Sequence, residues 1–65
     1  MKALGKRIKE LRKVQGISQE DLSYEADLPL SQIGRIERGE INPTISTLYA
    51  IAEALKIKLS NLLNF

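Results

Sequence analysis

The sequence predicts an all-α fold of five short helices, at about 3–14, 18–25, 29–38, 45–55 and 60–64, in one domain spanning 1–65. Two observations carry this reading. Apolar residues recur at helical spacing, as in Leu4, Ile8 and Leu11 or in Ile45, Leu48, Ile51, Ala52 and Leu55. Between such stretches stand residues that stop or start helices: Gly16, Ser18, the corner from Glu25 to Pro29, Gly39, and Asn42 and Pro43 before Thr44. A chain of 65 residues has material for one core only, and burial of roughly 60% of its unfolded surface leaves it marginally stable.

Composition removes several classes of function. There is no cysteine and no histidine, hence no disulfide framework and no thiolate zinc site. No apolar run approaches the ~20 residues of a membrane span, and the N-terminus lacks the apolar stretch of a secretory signal. A cytoplasmic protein is the expectation. Nothing in the sequence is poised for covalent or acid–base chemistry, and no metal or cofactor is expected, so an enzyme is the poorest reading. Net charge is only +2, but its distribution is uneven. Residues 1–16 carry six lysines and arginines against Glu10, whereas residues 17–40 carry six acids against Arg35 and Arg38. Local patches, not the sum, decide how phosphates are met, so a small net charge leaves DNA open as a partner.

The first helix ends at Gly16, and its lysines read as a solvated face. The second opens at Ser18, whose hydroxyl caps the first turn, with Asp21 as the reciprocal partner three residues on. Its acids Glu20, Asp21 and Glu25 suit the helix dipole. At the corner, Asp27 takes the left-handed conformation that glycine would adopt at lower cost, and Pro29 is already shaped for the next helix. That third helix turns Ile33 and Ile36 inward. Its outward arc then holds Leu30, Ser31, Gly34, Arg35 and Arg38, with Gln32 at the edge.

A helix of this girth fits the DNA major groove. The planar fork of Arg35 matches the acceptors of guanine, Ser31 and Gln32 offer further polar groups, and Leu30 suits a thymine methyl. Gly34 costs roughly 1 kcal/mol in mid-helix, which points either to a groove wall coming close or to a tolerated site.

Gln19, Leu22, Ala26, Leu28, Ile33 and Ile36 stand at the spacings of the helix-turn-helix in lambda-repressor-like, or Cro/XRE-type, DNA-binding domains, which this sequence resembles. The similarity extends through IKELRKVQGISQEDL, IGRIERGEINPTISTLYAIAEAL and LSNLL, nearly the whole chain. Ser23 and Asp27 depart from the alanine and glycine usual in the family. The resemblance implies that Arg12 pairs with Glu37, with guanidinium protons left over for a phosphate. It implies phosphate contacts from Gln19, from Arg38 at the end of the third helix and from Asn42 in the loop after Gly39. In some relatives an acidic patch on the second helix touches RNA polymerase, which would here be Glu20, Asp21 and Glu25.

The chain end KIKLSNLLNF carries more apolar groups than a water-facing terminus needs, and Tyr49 reads as a core-edge or dimer residue. Because relatives form two-fold dimers here, Leu59, Leu62 and Phe65 are the expected homodimer contacts. A dimer would set two recognition helices one DNA turn, ~34 Å, apart. The leading expectation is therefore sequence-specific binding of double-stranded DNA, as a transcriptional repressor on a palindromic operator. The alternative is a protein-interaction module, such as an antitoxin or adaptor built on the same helical frame.

Overall fold

In the computed structural model, residues 2–65 are described, and they form five helices: α1 Lys2–Val14, α2 Gln19–Ala26, α3 Leu30–Glu37, α4 Ile45–Ala54 and α5 Leu59–Leu62. Among the described residues there is no strand. None of these helices is long and apolar enough to cross a membrane.

Four helices end in the same way. The N–H groups of a residue in the left-handed region and of the residue after it turn back to carbonyls of the helix's last turn. At the end of α3, Gly39 (φ 74°) donates to the Ile36 carbonyl and Glu40 to that of Arg35. Gly16 plays the same part after α1, Asp27 (φ 56°) after α2 and Lys56 (φ 60°) after α4. The helix starts differ more. Ser18 and Asp21 form a complete capping box, and the Thr44 hydroxyl accepts from the Thr47 amide. The start of α5 lies at Lys58, with no side-chain cap, so Ser60 sits inside the helix and does not cap it.

Leu4 and Ile8 from α1, Leu22 from α2, Ile33 and Ile36 from α3, Leu48, Ile51, Ala52 and Leu55 from α4 and its cap, and Leu62 from α5 form one core. The helix-turn-helix is a wedge on it, with α3 packed on α1 and α2, and α2 on α4. Two expected placements change. Leu62 is fully buried in this chain's own core, so it forms no dimer surface, whereas Leu59 is half-buried against the same core. Ile45 leaves the α4 packing stripe and is 65% exposed. As the first helical residue after Thr44, it lies beyond the edge of the core.

Candidate nucleic-acid interface

Three backbone devices present the outer face of α3. The capped start of α2 and the left-handed Asp27 fix the angle at which the chain enters α3, and Pro29, with φ −59° and ψ 141°, occupies its N-cap position. Gly5 then allows α1 to touch α3 through main chain. A Cβ at position 5 would stand 2.5 Å from the Ile36 carbonyl oxygen and would collide with that of Glu37. Gly5 was not among the expected site residues. Its signal is the position itself, since a glycine inside an amphipathic helix costs roughly 1 kcal/mol unless something needs the space.

Beneath α3 lies a buried polar knot. Arg12 donates from Nε to Glu37 Oε2 at 2.8 Å, from Nη2 to Glu37 Oε1 at 3.0 Å, and from Nη1 to the Ile17 carbonyl at 3.0 Å. Gln19 Nε2 adds a bond to Glu37 Oε1 at 3.0 Å. One carboxylate thus ties together α1, the start of α2 and the last turn of α3. The bidentate fork satisfies both Glu37 oxygens, and the hydrogen bond it donates to Glu37 holds the Arg12 guanidinium pKa above its ordinary value. Arg12 is only 8% exposed. Three of its five guanidinium N–H groups are bonded inside the protein, which leaves two of them unused there. Gln19 is half-buried, with its amide turned toward Glu37.

The solvent side of α3 carries Leu30, Ser31 and Arg35, all exposed, and Gln32, half-buried at the margin. Arg38 and Asn42 are also exposed. Gly34 differs from expectation. It is buried, and what covers it is Arg38, whose Nη1 would lie 3.0 Å from a Cβ placed there. Arg38 therefore folds back one turn across the flank of α3. Its Nε donates to Glu40 Oε2 at 2.7 Å, while Glu40 Oε1 lies 3.8 Å from Arg35 Nε. This bond to Glu40 raises the Arg38 pKa, and the reciprocal bond lowers that of Glu40. Sequence reasoning passed over Glu40. Its visible signal is an acid two residues beyond Arg38 and five beyond Arg35, where the helix stop turns the chain back.

Glu20, Asp21 and Glu25 point to solvent on α2, although Asp21 Oδ2 is engaged by the Ser18 amide at 2.9 Å. Ile45, Tyr49, Leu63 and Phe65 make up the exposed apolar groups on α4 and after α5, with Phe65 63% exposed. The Glu53 carboxylate, one turn along α4, raises the pKa of the Tyr49 phenol.

Residues 8–62 match the model of the helix-turn-helix family, which spans the capped α2, the Asp27 corner and the exposed α3. The chain belongs to the helix-turn-helix family. This agrees with the lambda-repressor-like resemblance drawn from the residues. The immunity repressor protein of Bacillus phage phi105 is 44% identical over 57 residues, covering 88% of this chain and 40% of that protein. The restriction-modification controller protein C.AhdI from Aeromonas hydrophila superposes with a TM-score of 0.89 at 37% identity, over 91% of this chain and 89% of the other. A second controller, C.Esp1396I bound to a 25 base pair operator site, superposes with a TM-score of 0.87 at 33% identity, over 94% of this chain and 80% of the other. This chain is thus about as long as the controllers and shorter than the phage repressor. Its helix-turn-helix is the part it has in common with all three.

Proposed function

We propose that the chain binds double-stranded DNA in a sequence-specific way and regulates transcription, as a repressor acting as a homodimer on a palindromic operator. One observation carries the reading: Ser31 and Arg35 stand exposed on a helix that buried groups hold out from the core, in the family to which an operator-bound controller also belongs. In this role α3 lies in the major groove, with Arg35, Ser31, Gln32 and Leu30 toward base edges. Asn42, the two guanidinium N–H groups of Arg12 not used inside the protein and the second amide proton of Gln19 serve the phosphates, while Arg38, bonded to Glu40, stands beside the base-reading residues.

The dimer contact falls on Ile45, Tyr49 and Leu63, which join Leu59 and Phe65 of the expected set while Leu62 drops out. Sedimentation at high micromolar concentration tests the dimer, and a monomer there contradicts it.

The DNA reading itself is tested by titrating a pool of random duplexes, then duplexes selected from that pool, over a range of salt. Phosphate neutralisation releases counterions, so log affinity must fall linearly with log salt, with a slope of ~−0.9 per phosphate contact. Selected duplexes should show half-sites whose centres are one helical turn apart. Affinity that ignores salt overturns the proposal. A cytoplasmic location accompanies this role, since operator DNA is reached there.

A further inference from the structure

Glu40 belongs to neither the buried knot nor the family expectations, yet its carboxylate sits between the two arginines of α3. Its position is not accidental to a mobile loop. The Glu40 amide is bonded to the Arg35 carbonyl at 2.9 Å as part of the helix stop, so the side chain leaves the backbone at a defined place beside the last turn. From there it takes Arg38 Nε at 2.7 Å and approaches Arg38 Nη2 at 3.5 Å, with Arg35 Nε at 3.8 Å on the other oxygen. The absence of a Cβ at Gly34 supplies the room into which Arg38 folds. All three side chains stay about half exposed, so the arrangement lies open to an incoming duplex.

An arginine at the end of a recognition helix has two uses. Extended, it neutralises whichever phosphate is nearest and helps every sequence alike. Folded back across Gly34 and paired with an acid, it meets a polyanion poorly, and only its Nη1 side remains open to an acceptor on a base edge. We infer that Glu40 is a specificity-determining positioning residue, which holds Arg38 over Gly34 and withholds it from indiscriminate phosphate contact. The inference rests on the DNA-binding reading above and deepens it.

Removing the charge at Glu40 frees Arg38 for the backbone. In Glu40→Gln, affinity for random duplex rises about three- to tenfold at physiological salt, and the salt slope steepens by ~0.9, one added phosphate. Affinity for selected duplex rises less, so the ratio of the two falls. In an Arg38→Ala background the same change leaves the salt slope where it was. Gly34→Ala should lower the ratio from the opposite side, because its methyl displaces the guanidinium from its seat.

A readout without DNA accompanies these: the Arg38 Nε–H signal in nitrogen-15 NMR is shifted downfield and slow to exchange in the parent protein, and loses both properties in Glu40→Gln. Overturning results are an unchanged salt slope in Glu40→Gln, a slope change that survives Arg38→Ala, or an Arg38 Nε–H signal indifferent to Glu40. If the parent protein binds no duplex at all, the DNA-binding reading fails and the specificity role with it. The variant comparison fails alone when the parent binds and Glu40→Gln behaves identically.

Discussion

Gly5 and Glu37 meet through their backbones: no side-chain atom separates α1 from the last turn of α3 at this point. Helix α3 is therefore seated by main-chain contact, and a methyl group at position 5 has nowhere to go. Gly5→Ala gains helix propensity in α1 but must push α3 outward. We expect net destabilisation of about 1–3 kcal/mol, read as a lower urea midpoint at constant slope. At Gly16 a Cβ meets no atom within 4 Å, so the cost of substitution there comes from its φ of 72° and not from a packed neighbour.

The Arg12 and Glu37 pair is the second anchor. Because both side chains are buried, deletion of one strands the other's charge. Glu37→Ala should cost about 3–5 kcal/mol, enough to unfold much of a domain this small. Arg12→Met with Glu37→Leu should cost much less than the two single changes added together, because no charge is then left alone. Chemical denaturation of the singles and the double measures the coupling.

At the corner between α2 and α3, Asp27 holds φ 56° and ψ 45°. Glycine adopts that region without the Cβ clash, so Asp27→Gly should stabilise the protein by up to about 1 kcal/mol. Lys56→Gly should act alike at the end of α4, where φ is 60°. Thermal unfolding of each variant is the check, and a fall in Tm counts against backbone strain at these positions.

Acid should weaken the fold through Asp21. The Ser18 amide and hydroxyl hold its carboxyl below the ordinary 3.8, so the ionised form is favoured in the folded state. The folded pKa lies under the unfolded one. This contribution is therefore complete above about pH 4 and is lost as pH falls through the folded value. Asp21→Asn should flatten that part of the stability profile, measured by denaturant unfolding between neutral pH and acid. The remaining slope then includes Glu40, whose pKa Arg38 lowers in the same way.

Much of this was legible along the chain because it depends on neighbours in sequence. The capping box at Ser18 and Asp21, the left-handed Asp27 and the Gly39 stop follow from residue types at fixed short spacings. The Arg12–Glu37 pair spans 25 positions and came from the family pattern, not from periodicity. What stayed hidden depends on packing between elements. Helical period places Leu62 on an apolar surplus but cannot say whether it turns into this core or toward a second copy. Period likewise puts Ile45 on the α4 stripe, although that stripe overhangs the core at its first residue. Gly34 looked like an opening for a groove wall because the sequence does not show that Arg38 folds back over it.

The account's central claim is that α3 reads bases through its exposed face, and Arg35→Ala tests it most directly. Affinities of parent and variant should be measured at fixed salt on a selected duplex and on a random one. The prediction is a loss of about 1–3 kcal/mol on the selected duplex, a far smaller loss on the random one, and relaxed preference at a single base position. Equal losses on both duplexes would show that Arg35 serves only the phosphates, and would contradict the claim.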